Sequence, residues 1–84
     1  MDADRLKASL GQAIRERRLK LGYSQDGFAA EIDMHRTYMG GIERGERNVS
    51  LNNLNLIAEG LDLELSALFK LAEKQAKSKS RRKS

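Results

Sequence analysis

The sequence predicts an all-α domain of five helices, and three features of the chain support this prediction. Apolar residues recur every three to four positions along most of the chain, which is the spacing of helices that bury one face. Serine, aspartate and glycine, which favour helix ends, separate these stretches. The length of 84 residues, with 39% hydrophobic and 33% charged residues, is typical of one small globular domain with a single core.

The first helix is predicted from about residue 4 to residue 21. Its stripe is formed by residues at helical spacing, Leu6, Leu10, Ile14, Arg18 and Leu21. Asp2 or Asp4 can cap its start by accepting hydrogen bonds from the free backbone amides. Gly22 can end the helix because glycine enters the left-handed conformation at little steric cost.

Two short helices joined by a tight turn are predicted over residues 24–45. The second helix (25–32) starts after the N-cap Ser24, and the third (about 36–44) ends at Gly45. The residues placed where two crossed helices pack are Phe28, Ala29, Ile32, Met34, Met39 and Ile42. This arrangement is a helix-turn-helix, which lays its second helix in the major groove of DNA. We therefore expect a sequence-specific DNA-binding protein.

Two further helices are predicted, the fourth capped by Ser50 and the fifth over about residues 64–74. The apolar face of the fourth helix comprises Leu51, Leu54, Ile57, Ala58 and Leu61. That of the fifth comprises Leu65, Leu68, Phe69 and Leu71. Because the fifth helix offers more apolar surface than one small core needs, we predict that these four residues form the seam of a homodimer. Burial within the monomer is the alternative.

The net charge of +4 is unevenly distributed along the chain. Residues 73–84 contain six Lys or Arg and one acid, a net charge of +5, whereas the first 72 residues contain ten bases and eleven acids, a net charge of −1. We predict a DNA-binding domain over residues 1–72 and a disordered basic tail over residues 73–84. The tail has an alternative role in salt-sensitive, sequence-independent attraction to phosphates.

The sequence offers no recognisable site for catalysis, a metal ion or a cofactor. It has no cysteine and His35 is its only histidine, so no metal cluster or catalytic Ser/His/Asp or Cys/His set can be assembled with confidence. No glycine-rich phosphate loop is present, no stretch approaches the ~20 apolar residues of a membrane span, and no N-terminal signal segment is recognised. We expect a cytoplasmic, non-enzymatic protein with no cofactor and no membrane partner.

Five short motifs follow one another along the chain: Ile14-Arg15-x-x-Arg18, Gly22-x-Ser24-Gln25, Ala29, Ile42-Glu43-Arg44-Gly45 and Leu61-x-x-x-x-x-x-Leu68-Phe69. Together they resemble the Cro/repressor-type (Xre-like) helix-turn-helix family over about residues 8–70. The resemblance implies a five-helix, lambda-repressor-like domain with the helix-turn-helix at helices two and three. Residues 36–38, 41–45 and 47–48 look most like the controller proteins of restriction–modification systems. Those are small dimeric regulators that bind inverted repeats upstream of their own gene and the endonuclease gene.

Three features depart from this pattern. Asp33 stands in the turn where glycine is common, although aspartate tolerates the left-handed conformation. His35 stands where Ser or Thr often caps the third helix, so either the cap is weak or His35 contacts DNA. Gly27, Gly40 and Gly41 lie inside predicted helices, at about 1 kcal/mol each relative to alanine. Close approach to DNA or to the second helix can account for Gly40 and Gly41, and poor helix propensity without a structural role is the alternative.

The start of the third helix is the predicted base-reading surface. Arg36 can pair with O6 and N7 of guanine for about 1–3 kcal/mol of discrimination, and Thr37 can offer its methyl group to thymine. Tyr38 can reach the DNA backbone with its hydroxyl or pack its ring against the second helix. Capping is the alternative for Ser24, and solvent exposure is the alternative for Arg44. The full set of predicted DNA-contacting residues is Ser24, Gln25, His35, Arg36, Thr37, Tyr38, Gly40, Arg44, Arg47 and Asn48.

Arg18 and Glu43 are interpreted as structural residues. Arg18 lies on the apolar face of the first helix, where a lone charge is costly. The resemblance pairs it with Glu43 across the helices, which would orient the third helix. Glu43→Ala is therefore expected to lower the melting temperature.

The expected function is that of a homodimeric transcription regulator on an inverted-repeat operator, controlling restriction–modification genes that include its own. Two-fold symmetry requires half-sites about 34 Å apart, one turn of DNA. A bound dimer can block RNA polymerase or recruit it, so repression and activation are both open. The alternatives are an antitoxin-like protein-interaction module, a phage-type repressor and a non-specific nucleic-acid binder driven by the basic tail.

Overall fold

Five α-helices follow one another in the computed structural model, which describes residues 1–82 and the side chains of residues 1–78. They are α1 (Ala3–Lys20), α2 (Gln25–Glu31), α3 (Arg36–Glu43), α4 (Leu51–Gly60) and α5 (Leu65–Arg82). No strand occurs within residues 1–82. The predicted all-α fold is confirmed, and α1, α2 and α3 begin and end within one residue of their predicted bounds.

Side-chain caps begin the helices as the sequence predicts. Asp2, Ser24 and Ser50 each accept a hydrogen bond from the backbone N–H three residues further along, at 2.8, 3.0 and 3.1 Å. Each bond satisfies one of the amide groups that have no partner inside the helix, for about 1 kcal/mol. Of the two candidates at the start of α1, Asp2 rather than Asp4 is the cap.

A residue in the left-handed conformation follows each of the first four helices. The φ angle is +86° at Gly22, +56° at Asp33, +76° at Gly45 and +58° at Asp62. Glycine is needed at position 45 for a second reason, because a Cβ there would lie 3.0 Å from the Cα of Ala8 in α1. The sequence predicts the turns at Gly22, Asp33 and Gly45, but it gives no expectation for Asp62.

The core lies where α1 packs along α5 and against α3. Its largest fully enclosed apolar side chains are Ile14, Phe28, Met39, Ile42, Ile57, Leu61 and Leu68. Gly11 allows α1 and α3 to cross closely, since a Cβ there would lie 2.5 Å from the backbone oxygens of Ile42 and Glu43. This close crossing holds the carboxyl end of α3 against the core and leaves its amino end exposed.

Helix α5 is longer than the sequence analysis predicts, and this corrects the expectation of a disordered tail. The helix continues to Arg82 rather than ending near residue 74. Ala72 and Ala76 are 0% and 4% exposed, one helical turn apart, so they continue the buried face of α5 along α1. Two alanines in a basic segment are a weak hydrophobic signal, which is why composition indicated disorder. Residues 83 and 84 of the predicted tail lie outside the described residues.

The predicted dimer seam is corrected at one residue. Leu68 is 0% exposed within a single chain, so it belongs to the monomer core and is not available to a partner. Leu65, Phe69 and Leu71 are half-buried at the edge of that core, and their role in a dimer stays a prediction. Leu51, placed on the apolar face of the fourth helix, is 68% exposed because it occupies the first turn, outside the packed part of α4.

Candidate nucleic-acid interface

The pair α2–α3 forms a compact helix-turn-helix. Met34 donates its backbone N–H to the carbonyl oxygen of Ala29 at 2.8 Å, which closes the turn around Asp33. Phe28 and Ala29 are buried on α2, and the ring of Phe28 meets that of Tyr23 edge-on at a centroid distance of 5.4 Å. The predicted motif is present, and the aspartate accommodates the left-handed turn without a glycine.

A buried ion pair fixes the orientation of α3. Arg18 of α1 meets Glu43 in a bidentate contact, Nε to Oε2 at 2.7 Å and Nη2 to Oε1 at 2.9 Å, with both side chains at most 6% exposed. The remaining Nη1 donates to the carbonyl of Tyr23 at 2.9 Å. The hydrogen bond with Glu43 raises the pKa of the Arg18 guanidinium. The predicted ion pair is therefore present, and every group in it has a partner.

Gln25 joins this cluster from α2. Its side-chain amide donates to Oε1 of Glu43 at 3.1 Å, so one carboxylate connects α1, α2 and α3. The sequence predicts Gln25 only at the DNA, whereas in the structure its side chain is half-buried with its amide directed at Glu43. Its position at the first residue of α2 still leaves it beside the exposed N-cap Ser24.

The amino end of α3 carries an exposed polar row. His35, Arg36 and Thr37 are all exposed, and Nδ1 of His35 accepts a hydrogen bond from the backbone N–H of Thr37 at 3.2 Å. The histidine therefore caps the helix in place of Ser or Thr. Nη1 of Arg36 lies 3.6 Å from Oδ2 of Asp26 in α2, and the two side chains are 73% and 68% exposed. Such a surface pair is weak, so a stronger anion can displace it.

Tyr38 ties α3 to the loop that follows it. Its hydroxyl donates to the carbonyl oxygen of Asn48 at 3.2 Å and accepts from Nδ2 of Asn53 at 3.3 Å, while its ring packs at the edge of the core. Neither sequence-based alternative for Tyr38 includes this loop contact. These two hydrogen bonds therefore hold the loop between α3 and α4 beside α3, the helix that carries the exposed row His35, Arg36 and Thr37.

Two glycines allow arginine side chains to cross the backbone of α3. A Cβ on Gly41 would lie 2.7 Å from Cγ of Arg47, so the arginine stem rests directly on the helix. A Cβ on Gly40 would lie 3.1 Å from Nη1 of Arg44 and 3.2 Å from Oε1 of Gln25. Gly40 therefore approaches α2 closely, as predicted, whereas the near neighbour of Gly41 is Arg47 of the following loop rather than α2.

The predicted DNA-contacting residues lie on three adjoining segments: the start of α2, the start of α3 and the loop between α3 and α4. We call this the recognition surface, and its members are Ser24, Gln25, His35, Arg36, Thr37, Tyr38, Gly40, Arg44, Arg47 and Asn48. Arg47 and Asn48 are exposed in the loop, and Arg44 pairs with Glu46 at 3.1 Å in a contact that is more than half exposed. Gly40 alone is buried, beneath the surface rather than on it.

A helix-turn-helix family model matches residues 14–68, which include the whole pair α2–α3. The chain belongs to this family. The control protein C.MunI from Mycoplasma sp is 46% identical over 71 residues, covering 83% of this chain and 96% of that protein. Within the helix-turn-helix family, the chain thus belongs to the control proteins.

Solved structures of controllers share the fold of this family member. The restriction–modification controller protein C.AhdI from Aeromonas hydrophila superposes with a TM-score of 0.70 and 44% identity, over 73% of this chain and 92% of that one. The controller C.Esp1396I, solved as a tetramer with its natural 35 base-pair operator, superposes with a TM-score of 0.76 and 32% identity, over 84% and 93%. The predicted family and its controller branch are confirmed.

Three residues that position the recognition surface of this control protein are absent from the sequence-based prediction. Asp26 pairs with Arg36, Asn53 holds the Tyr38 hydroxyl, and Gly11 permits the crossing of α1 and α3. Among the three, Asp26 offers a usable signal, because it is an acid in the first turn of α2, the helix that precedes the exposed Arg36. The contacts of Gly11 and Asn53 depend on tertiary packing between distant segments, which local sequence does not reveal.

The described part of this control protein contains no group of three His, Cys, Asp or Glu residues that could hold a metal ion. Among residues 1–82, no helix is both long and apolar enough to cross a membrane.

Proposed function

We propose that this control protein is a homodimeric, sequence-specific DNA-binding regulator of restriction–modification genes, including its own. The observation that carries the proposal is the exposed row His35, Arg36 and Thr37, held at the free end of α3 by the buried Arg18–Glu43 pair. A helix used for base reading must present polar groups on a rigid support, because small displacements weaken directional hydrogen bonds.

Each segment of the recognition surface has its own role in the proposal. Arg36 pairs with guanine after leaving Asp26, since the exposed 3.6 Å contact is weak, and Thr37 contacts a neighbouring base or phosphate. Phosphates are contacted by the residues of the recognition surface in the loop and at the start of α2, among them Arg47 and Asn48. These contacts set the register of α3 in the groove without reading sequence. Tyr38 acts through the loop that its hydroxyl holds.

A dimer is part of the proposal because one eight-residue recognition helix reads few base pairs. The half-buried residues Leu65, Phe69 and Leu71 of α5 form the seam, with the fully buried Leu68 behind them. The two recognition helices would then face half-sites about 34 Å apart in an inverted repeat.

Regulation follows from occupancy of the operator. A dimer bound beside a promoter occludes RNA polymerase or provides a surface that recruits it, so the position of the operator decides the sign. Because the relatives C.MunI and C.AhdI come from bacteria, whose DNA lies in the cytoplasm, we place this protein in the cytoplasm.

The test is fluorescence anisotropy with the DNA upstream of its own gene and a scrambled duplex of equal length. We expect tight binding to the native duplex only, and a loss of about 5- to 150-fold in Arg36→Ala, because a bidentate arginine–guanine contact contributes about 1–3 kcal/mol. Lys20→Ala, an exposed charge outside the recognition surface, is the matched control and should bind as the parent protein does. Equal affinity of the parent protein for both duplexes would contradict sequence-specific control of its own gene.

A further inference from the structure

Helix α5 continues beyond the residues that the family model matches. The family match ends at residue 68, whereas α5 continues to Arg82. The relative C.MunI is matched along 96% of its length by 71 residues of this chain, so at least part of this chain has no counterpart there. We call residues 69–82 the α5 extension.

The α5 extension is docked along α1. Ala72 and Ala76 are buried against that helix, and the guanidinium of Arg5 donates to the carbonyl oxygen of Ala76 at 3.0 Å. The carboxylate of Glu16 in α1 accepts hydrogen bonds from Gln12 and from Gln75, which hold its pKa below the ordinary value. These contacts fix which face of the extension points to solvent.

The solvent face carries an evenly spaced row of lysines. Lys70, Lys74 and Lys77 are exposed at positions i, i+4 and i+7, one side of the helix, whereas Ala72 and Ala76 lie on the other. Within residues 1–78, no ion pair joins these three lysines to a carboxylate. We call them the lysine row.

The positive charge of the chain is concentrated toward the end of its sequence. Residues 73–84 have a net charge of +5 and the other 72 residues a net charge of −1. Among the side chains described in residues 69–78, three lysines and the exposed Glu73 give a net charge of +2. This positive charge on the solvent face attracts a polyanion.

We propose that the lysine row binds the phosphate backbone of double-stranded DNA, as a second and sequence-independent contact surface beside the recognition surface. The row from Lys70 to Lys77 spans about 10 Å of helix, over which a DNA duplex presents roughly six phosphate charges. Lysine acts as a point charge without a preferred plane, which suits contacts to phosphates in any register. A second class of partner, an acidic protein surface, would need its carboxylates placed to match; a duplex presents charge at every step.

The experiment compares two single variants that remove the same charge from different helices. Lys77→Gln alters the lysine row, and Arg15→Gln removes one exposed charge from α1. Affinity for a duplex without the operator is measured by anisotropy from low to high NaCl. We expect the first variant to lower the magnitude of the salt slope by about 0.9, the value for one lost phosphate contact, and the second to leave it unchanged.

Several results would overturn the proposal. Equal changes in both variants would indicate a general effect of net charge, and no change in either would leave the row without a role in DNA binding. Polyglutamate serves as a probe for an acidic protein surface. If the lysine-row variant lost binding to polyglutamate while its salt slope for DNA stayed unchanged, the row would be assigned to an acidic protein. Circular dichroism establishes that both variants are folded. The ratio of operator to non-operator affinity should be the same in the parent protein and in both variants. A parent protein that does not prefer its operator would contradict the proposed function, and it would leave the test of the lysine row unaffected.

Discussion

At the scale of single residues, the clearest feature is a charge pair that is enclosed and fully hydrogen-bonded. Glu43 accepts from both Arg18 and Gln25, so this carboxylate is shared by three helices. The lone charge on the apolar face of α1 is enough to predict a partner, and the family resemblance supplies which one. The third member, Gln25, could not be predicted because its polar side chain serves equally well at a DNA surface.

Removal of Glu43 leaves Arg18 buried without its counter-charge. We expect Glu43→Ala to lower the free energy of unfolding by about 3–5 kcal/mol, measured by urea denaturation. Glu46→Ala, which breaks only the exposed pair with Arg44, is the control and should cost about 0–1 kcal/mol. If the two variants were equally stable, the buried pair would have no special structural role.

Asp26 is expected to oppose DNA binding. Its carboxylate attracts Arg36 at 3.6 Å in the free protein and would lie beside the phosphates in the complex. Asp26→Asn should therefore raise operator affinity by a few-fold at low salt, with a smaller gain at high salt as the charges are screened. Asp62→Asn, in the turn before α5, provides a control for the loss of one negative charge. Weaker binding by Asp26→Asn would show that the carboxylate positions Arg36 for the complex.

At the scale of secondary structure elements, Gly11 and Gly41 both lie inside helices, but they make room for different parts of the molecule. At Gly11 the obstacle to a side chain is the backbone of α3, whereas at Gly41 it is the flexible stem of Arg47. Sequence patterns place both in helices and assign both the same cost of about 1 kcal/mol. Only the packing separates them, because the atoms that they meet come from other parts of the chain.

The two glycine-to-alanine variants should therefore differ in both stability and DNA affinity. Gly11→Ala is expected to destabilise the fold by more than 1 kcal/mol, since the backbone oxygens at 2.5 Å cannot move without separating α1 from α3. Gly41→Ala should affect stability less than Gly11→Ala, because only the Arg47 side chain must shift, but it should weaken operator binding for the same reason. Thermal melting and anisotropy distinguish these outcomes. A binding loss in Gly41→Ala that matched a loss of folded protein would contradict this explanation.

The length of α5 shows where sequence patterns fail at this scale. Caps and left-handed turns are local, so residues such as Ser24, Ser50 and Gly45 could be predicted directly. The part of α5 beyond the predicted end is held by contacts with α1, including the hydrogen bond from Arg5 to Ala76 across 71 positions of sequence. A segment rich in lysine and serine has no local signal for such a contact, so composition alone indicates disorder.

Truncation after residue 74 should then affect the fold as well as the charge. We expect the free energy of unfolding to fall by about 1–2 kcal/mol, because the burial of Ala76 and its hydrogen bond with Arg5 are lost. Truncation after residue 78 keeps both contacts and removes four basic residues, which makes it the matched control. Identical melting curves for the two truncations would show that the docked turn of α5 adds nothing to stability.

At the scale of the whole molecule, the monomer encloses its core yet leaves apolar edges along α5. Leu65, Phe69 and Leu71 remain half-buried, while Leu68 between them is fully enclosed. Helical spacing predicts one apolar stripe for this helix but cannot divide it between the monomer and a partner. That division depends on how α1 and α4 lie across α5.

Glutamate substitutions along α5 separate the two uses of the stripe. Phe69→Glu should give a folded monomer by light scattering, because the charge keeps access to water at the half-exposed monomer edge but would be enclosed in the dimer, and operator affinity should fall as the second half-site contact is lost. Leu68→Glu should instead prevent stable folding, since its side chain has no exposed fraction. Circular dichroism at matched concentration provides the control for folding. A Phe69→Glu variant that remains a dimer would move the interface away from this edge of α5, and the inverted-repeat geometry would then have to be derived from another surface of the molecule.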